Sequence, residues 1–189
     1  MKKKLIIGIS GATGVIYGIR LLEVLKSLNF ETHLMITDAA SFNIKIETGL
    51  KRKDVEDLAT YIYSIDDTGA PIASGSFITD GMVVIPCSIK TLSAIAHSYN
   101  ENLLIRAADV TLKEKRKLIL VVRETPLHIG HLRIMTLAAE QGAIILPPMP
   151  SFYYKPKTIS DIIDHTIGKI LDQFHIENRL LKRWEGYKD

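Results

Sequence analysis

The sequence has one cysteine, Cys87, and one tryptophan, Trp184, in 189 residues. A lone cysteine excludes a disulfide framework within the chain, and no Cys/His grouping has zinc-finger spacing. That usage fits a reducing cytoplasm. Long apolar runs are also lacking. The longest stretch without a charge, 5–19, is too short for a membrane span and is broken by Gly8, Gly11, Gly14 and Gly18. Met1-Lys2-Lys3-Lys4 imitates the start of a signal peptide, but the apolar segment behind it, 5–9, is too short to complete one. No excess of one charge sign stands out: 24 Lys and Arg face 21 Asp and Glu, a formal net charge of +3. The basic residues are interleaved with acidic ones, which argues against nucleic acid. A slight positive balance suits small anionic ligands.

What is present is the composition of an ordinary globular protein, 47% hydrophobic and 24% charged. The length fits a single domain over residues 1–189. Its charged end, 177–189, reads as a C-terminal tail that frays or packs on a neighbouring subunit. Short apolar runs alternate with helical periodicity. Strands are expected at 5–9, 32–37, 82–85, 118–122 and 143–146, with Pro86 ending the third. Helices are expected at 15–28, 39–50, 53–60, 91–96, 105–117, 127–141 and 160–174, the last capped by Ser160. Strands buried on both faces and separated by helices imply an α/β fold. The expected form is a three-layer, doubly wound parallel sheet, Rossmann- or flavodoxin-like. The segment 66–77 is the longest irregular stretch, and such loops are often functional.

Ligands of doubly wound sheets bind beyond the C-terminal ends of the strands. The residues expected there are Ser10, Gly11, Ala12, Thr13 and Gly14, then Thr37 and Asp38, then Cys87, Ser88, Ile89, Lys90 and Thr91. Arg123, Glu124 and Thr125 follow the fourth strand, and Phe152, Tyr153 and Tyr154 follow the fifth. Hydroxyls, glycines and an arginine at one rim suit a phosphate-bearing cofactor, since helix N-termini favour anions. The first turn reads Gly8-x-x-Gly11-x-x-Gly14, so neither the dinucleotide fingerprint nor a P-loop is met. Asp38 stands where a dinucleotide fold places its ribose-binding acid, which keeps a nicotinamide enzyme open. Tyr153 and Lys157 have the spacing of short-chain dehydrogenases, but Pro156 disfavours the helix that this pairing needs. A mononucleotide such as FMN fits the rim better.

A second group surrounds the fourth strand. On a helix, Arg106, Asp109 and Lys113 share one face. An arginine and a lysine so placed can clamp a second phosphate, near the Ala73-Ser74-Gly75-Ser76 turn. His128 and His131 have i, i+3 spacing without a third ligand, so no metal site is expected. Cys87 reads as a small buried residue rather than a nucleophile.

In this order, six segments resemble the flavin prenyltransferases of the UbiX type, formerly called aromatic acid decarboxylases. They are Gly8-Ile-Ser-Gly-Ala-Thr-Gly14, Ala73-Ser-Gly-Ser76, Ile85-Pro-Cys-Ser88, Arg106-Ala-Ala-Asp-Val-Thr-Leu-Lys-Glu114, Leu120-Val-Val-Arg-Glu-Thr-Pro126 and Ile145-Leu-Pro-Pro-Met-Pro-Ser-Phe-Tyr-Tyr154. The resemblance implies one flavoprotein domain that transfers a dimethylallyl group from dimethylallyl phosphate to N5 and C6 of reduced FMN. The prenylated FMN would serve a UbiD-type decarboxylase. By this resemblance Gly11, Ala12, Thr13, Thr37, Ser88, Ile89, Lys90, Thr91 and Arg123 hold FMN. Ser74, Arg106, Lys113, Glu124, Tyr153 and Lys169 meet the prenyl phosphate, some from a neighbouring subunit of a dodecamer. Glu47, Glu124 and Lys113 are the implied catalytic residues, with no metal and no membrane involved.

Two departures from the family pattern stand out. Some members place a tryptophan just before the Ala-Ser-Gly-Ser turn, where this chain has Asp67-Thr68-Gly69-Ala70. The usual serines of the first turn and of the turn after the second strand are Thr13 and Thr37, which keep the hydroxyl. The alternatives are an FMN-dependent decarboxylase of the same fold and a flavin carrier. The cysteine decarboxylases carry an early histidine and a Pro-x-Met-Asn motif that this chain lacks, and a carrier needs no second phosphate site.

Overall fold

Strand β1, Lys4–Ile9, is buried at every position after Lys4, as a strand covered on both faces must be. In the computed structural model, which describes residues 3–181, 183, 184 and 186, β1 pairs in parallel with β2 (Glu31–Ile36) and with β4 (Gly81–Cys87). Strand β5 (Lys117–Val122) extends the sheet beyond β4. The short strands β3 (Tyr61–Tyr63) and β6 (Ile144–Ile145) form its edges. The order β3-β2-β1-β4-β5-β6 is the Rossmann arrangement, with its topological switch between β1 and β4.

Helices cover both faces. Helix α1 (Val15–Ser27) joins β1 to β2, and α2 (Asp38–Thr48) and α3 (Arg52–Glu56) follow β2. Helices α4 (Ile89–Ala96) and α5 (Leu103–Lys113) join β4 to β5, α6 (Ile129–Glu140) leads to β6, and α7 (Ile159–Gln173) comes last. Successive residues of β1 face opposite layers. A Cβ on Gly8 would meet Leu104 of α5, whereas Ile9 lies against Gly18 of α1. The core on the α5 side packs Ile6, Met82, Val84, Leu118 and Leu120 against Leu92, Leu104, Ala107 and Ala138.

The chain divides into two compact units, Met1–Pro147 and Pro148–Asp189. The first contains the sheet and α1–α6. The second contains α7, whose Ile163, Ile167, Ile170 and Leu171 are buried. In this unit Arg183 pairs with Asp172 at 2.9 Å and Leu181 lies over Gly168. Of the expected tail, Lys182, Glu185, Tyr187, Lys188 and Asp189 lie outside the described residues.

Three expectations are corrected. Pro86 does not end its strand, because β4 continues to Cys87 across a register irregularity between Val84 and Cys87. A proline is tolerated in a sheet at such a bulge. The helix expected at 53–60 is the short α3, and its apolar continuation becomes β3, an edge strand too brief for periodicity to mark. Helix α7 is capped by Thr158, not Ser160. The Thr158 hydroxyl accepts from the Asp161 N–H, and the Asp161 carboxylate accepts from the Thr158 N–H, a reciprocal capping box.

A buried histidine of the sheet is expected to tie stability to pH. His33 of β2 is 2% exposed. It stacks on Tyr61 and Tyr63, meets the edge of Phe77, and hydrogen-bonds Tyr63 and Glu31 at 2.9 and 3.0 Å. Lys4 pairs with the same Glu31 carboxylate. Burial lowers the His33 pKa from 6.5, against the opposing pull of Glu31. The unfolded imidazole therefore takes a proton more readily than the folded one. Its contribution is full above the ordinary imidazole range and is lost as pH falls below it. The denaturation midpoint of the wild-type chain is expected to drop between pH 7.5 and 5.5, and His33→Gln to flatten that dependence. An equal pH slope in the variant, measured by urea unfolding, would exclude His33 as its source.

Candidate functional site

The two central strands are joined at their C-terminal ends by one buried hydroxyl. Ser10 is fully buried; its Oγ donates to the Pro86 carbonyl at 2.9 Å and accepts from the Ser88 N–H at 2.8 Å. The Ser10 N–H donates to the same carbonyl, at 3.2 Å. Helix α4 starts at this seam: Ser88 accepts from the Thr91 N–H and donates to the Thr91 hydroxyl. Helix α2 starts beside it, where the Thr37 N–H donates to the Ile9 carbonyl and the Thr37 hydroxyl accepts from the Ala40 N–H. Gly11 lies so near Ala39, in the first turn of α2, that a Cβ there would collide with it. Helix α1 begins five residues after Ser10. Three helix N-termini thus gather at the rim beyond β1 and β4, a setting that favours anions.

Gly11, Ala12, Thr13, Thr37, Ser88, Ile89 and Thr91 come together here. Lys90 differs, because its Nζ reaches Glu101 at 3.3 Å and leaves only its backbone N–H to the rim. Arg123 leaves β5 with its N–H on the Cys87 carbonyl, and its side chain is exposed. Glu124 follows it and accepts from the Thr125 N–H. Cys87 is fully buried, and burial pushes its thiol pKa up, away from nucleophilic chemistry.

Glu47 does something the sequence did not reveal. From the last turn of α2 its carboxylate accepts from the N–H groups of Gly14 and Val15, at 2.8 and 3.2 Å. It supplies the N-terminal cap that Gly14 cannot provide. The contact spans more than 30 residues, so no local spacing marks it.

The second group also assembles. Arg106 of α5 binds Asp109 at 3.1 Å and donates from Nε to the Ala73 carbonyl at 3.2 Å. Lys113 closes the same helix and pairs with Glu114. Ser74 and Ser76 place their hydroxyls 2.9 Å apart on the facing turn. Sequence reasoning gave no role to Arg116, which donates to the Gly75 and Phe77 carbonyls at 2.7 and 2.8 Å. Its place directly before β5 resembled an ordinary solvated charge.

Tyr153 and Lys169 belong to the second unit. Tyr153 meets His165 Nε2 at 3.3 Å and the edge of Trp184, while Tyr154 stacks flat on His165. Burial and the Lys169 charge lower the His165 pKa. The rings of His128 and His131 lie 3.6 Å apart. Among the described residues no cluster of three or more His, Cys, Asp or Glu is placed to hold a metal ion.

Replacing Ser10 by Ala leaves the part-buried Ser88 N–H without its acceptor, at an expected cost of about 1 kcal/mol. Urea unfolding measures the loss, and an unchanged midpoint would show that the seam does not depend on this hydroxyl.

The geometry can be set beside known proteins. Residues 1–180 match the Flavoprotein family model. A Flavin prenyltransferase UbiX from Thauera aromatica is 55% identical over 186 residues, covering 98% of this chain and 96% of the relative. The crystal structure of AnUbiX (PadA1) in complex with FMN and dimethylallyl pyrophosphate superposes with a TM-score of 0.97 at 45% identity, over the whole of both chains. A dodecameric FMN-dependent Ubix-like decarboxylase from Escherichia coli O157:H7 gives 0.94 at 47% identity, over 97% of this chain and 100% of that one. With its strand order, its rim of helix N-termini and this kinship along its length, the chain belongs to the flavoprotein family and, within it, to the flavin prenyltransferases of the UbiX type.

Proposed function

We propose that this protein joins the dimethylallyl group of dimethylallyl phosphate to N5 and C6 of reduced FMN and passes the prenylated FMN to a UbiD-type decarboxylase. The observation that carries the proposal is the full-length kinship to UbiX, in a chain that has both a rim of helix N-termini and a separate group of basic and hydroxyl residues. A decarboxylase of the same fold or a flavin carrier leaves the second setting without a use.

FMN fits the first setting. Its phosphate is the ligand that three helix N-termini and the hydroxyls of Thr13, Thr37 and Ser88 attract. Arg123 adds a positive charge beyond β5. The flavin supplies the nucleophilic N5, and every other requirement falls on the chain. Ser74, Arg106 and Lys113 hold the phosphate of the allylic ester together with Tyr153 and Lys169, some of these residues coming from a neighbouring subunit. Phosphate leaves with both electrons of the C–O bond, so these donors stabilise negative charge as it grows. Glu47 and Glu124 are the carboxylates available to take the proton released on ring closure. The absence of an aromatic residue at 67–70 leaves positive charge on the allyl group to be balanced by other residues or by the departing phosphate itself.

The family match across both units supports reading residues 1–180 as one flavoprotein domain. The dodecameric relative supports a homo-dodecamer, and sharing of sites between copies suits a chain this small. Among the described residues no helix is long and apolar enough to cross a membrane. We place the protein in the cytoplasm on the strength of its single, unpaired cysteine.

Anaerobic incubation with reduced FMN and dimethylallyl phosphate is expected to add one five-carbon unit to the flavin, read by mass spectrometry. A parallel incubation with the pyrophosphate ester fixes which leaving group is used. No mass gain with either ester would overturn the proposal. Lys113→Ala is expected to lower turnover by roughly 100-fold, the scale of one preorganised charge contact. Undiminished turnover would remove Lys113 from the phosphate site.

A further inference from the structure

The end of α5 carries an ion pair between sequence neighbours. The Lys113 ammonium lies against the Glu114 carboxylate at 2.5 Å. Adjacent helical residues point about 100° apart and do not ordinarily face each other. They meet here because α5 ends at Lys113 with Glu114 as its cap, and both side chains turn toward the Gly75 backbone. A Cβ on Gly75 would collide with the Glu114 carboxylate and with Lys113 Nζ. A residue without a side chain is therefore needed for the pair to sit where it does.

The surrounding groups make this pair the adjustable part of the site. Arg116 is committed to the carbonyls of Gly75 and Phe77, and Arg106 to that of Ala73 and to Asp109. These contacts fix the turn that carries the Ser74 and Ser76 hydroxyls. The Lys113 and Glu114 side chains are 49% and 34% exposed, so water compensates both if they part. Lys113 and, more weakly, Arg116 hold the Glu114 carboxyl below its ordinary range, so it is charged at neutral pH.

We propose that Glu114 is the internal counter-ion of Lys113, displaced when the phosphate of the allylic ester binds and returning to the ammonium as inorganic phosphate leaves. The inference rests on the reading that Lys113 meets that phosphate. A doubly charged phosphate competes well for an exposed ammonium. A carboxylate tethered one residue away competes with the product for that ammonium at high effective concentration. Glu114 acts through Lys113, so it is a positioning residue. Its removal has an unusual sign: loss of an acid strengthens anion binding, whereas loss of a structural support would weaken it.

The test is competition by inorganic phosphate against dimethylallyl phosphate, with reduced FMN and the full chain at fixed ionic strength. Glu114→Gln keeps the shape and removes only the charge. It is expected to lower the phosphate inhibition constant about two- to five-fold, the range for an exposed ion pair. The KM for the ester is expected to fall by a similar factor. Glu114→Ala is expected to move both constants in the same direction. An inhibition constant that is unchanged or raised in both variants overturns the counter-ion role. Lys113→Ala separates the two readings. If it weakens phosphate inhibition while Glu114→Gln leaves it unchanged, Lys113 keeps the phosphate and Glu114 loses its role. If Lys113→Ala leaves phosphate inhibition intact, Lys113 does not meet phosphate and the counter-ion role falls with it.

Discussion

The seam made by Ser10 is the contact on which the rest of the site depends. At the switch point of a parallel sheet two neighbouring strands send their chains away in different directions, and a crevice opens between the departing loops. The backbone groups at its base still need partners, because they are buried. A side chain of one hydroxyl is small enough to enter and offers both a donor and an acceptor. Ser10 uses both, on Pro86 and Ser88. That fixes the start of α4 against the turn before α1, and Gly11 lets α2 approach from the other side. The gathering of three helix N-termini is therefore a consequence of backbone satisfaction before it is an adaptation to a ligand.

The second setting is built on a different rule. There the backbone of the Ala73–Phe77 turn presents carbonyl oxygens, which repel a phosphate. Arg106 and Arg116 occupy those oxygens, while the Ser74 and Ser76 hydroxyls meet on the same turn. The net charge of +3 says little about this. What matters is that some cations are spent on carbonyls and others are left exposed beside them.

Much of this was legible in the sequence. Alternating apolar runs and helical periodicity gave the sheet, because burial on both faces leaves a continuous apolar signature such as Leu5-Ile6-Ile7. The rim residues followed from the rule that ligands bind beyond strand ends. Helical spacing placed Arg106 and Asp109 on one face, where they pair at 3.1 Å. Other features were not legible, for identifiable reasons. The three residues of β3 are too few to show a period, and two of them are exposed. Pro86 looked like a strand end because a bulge cannot be read from composition. Glu47 capping α1 and Arg116 gripping the Gly75 turn are tertiary contacts, across 33 and 41 residues, that no local pattern encodes.

The short edges of the sheet have a consequence for how copies of this chain can meet. An edge strand with many unpaired N–H and C=O groups is a template for another strand, and natural proteins guard against it. Here one edge offers the three residues of β3 and the other the two of β6. A ladder so brief gives a visiting strand little to pair with. Joining subunits by continuing the sheet is disfavoured, and so is the fibrous aggregation that follows the same route. Any ordered assembly of this chain must then be cemented by side-chain surfaces, whose shape and charge discriminate between partners in a way that a bare peptide edge does not.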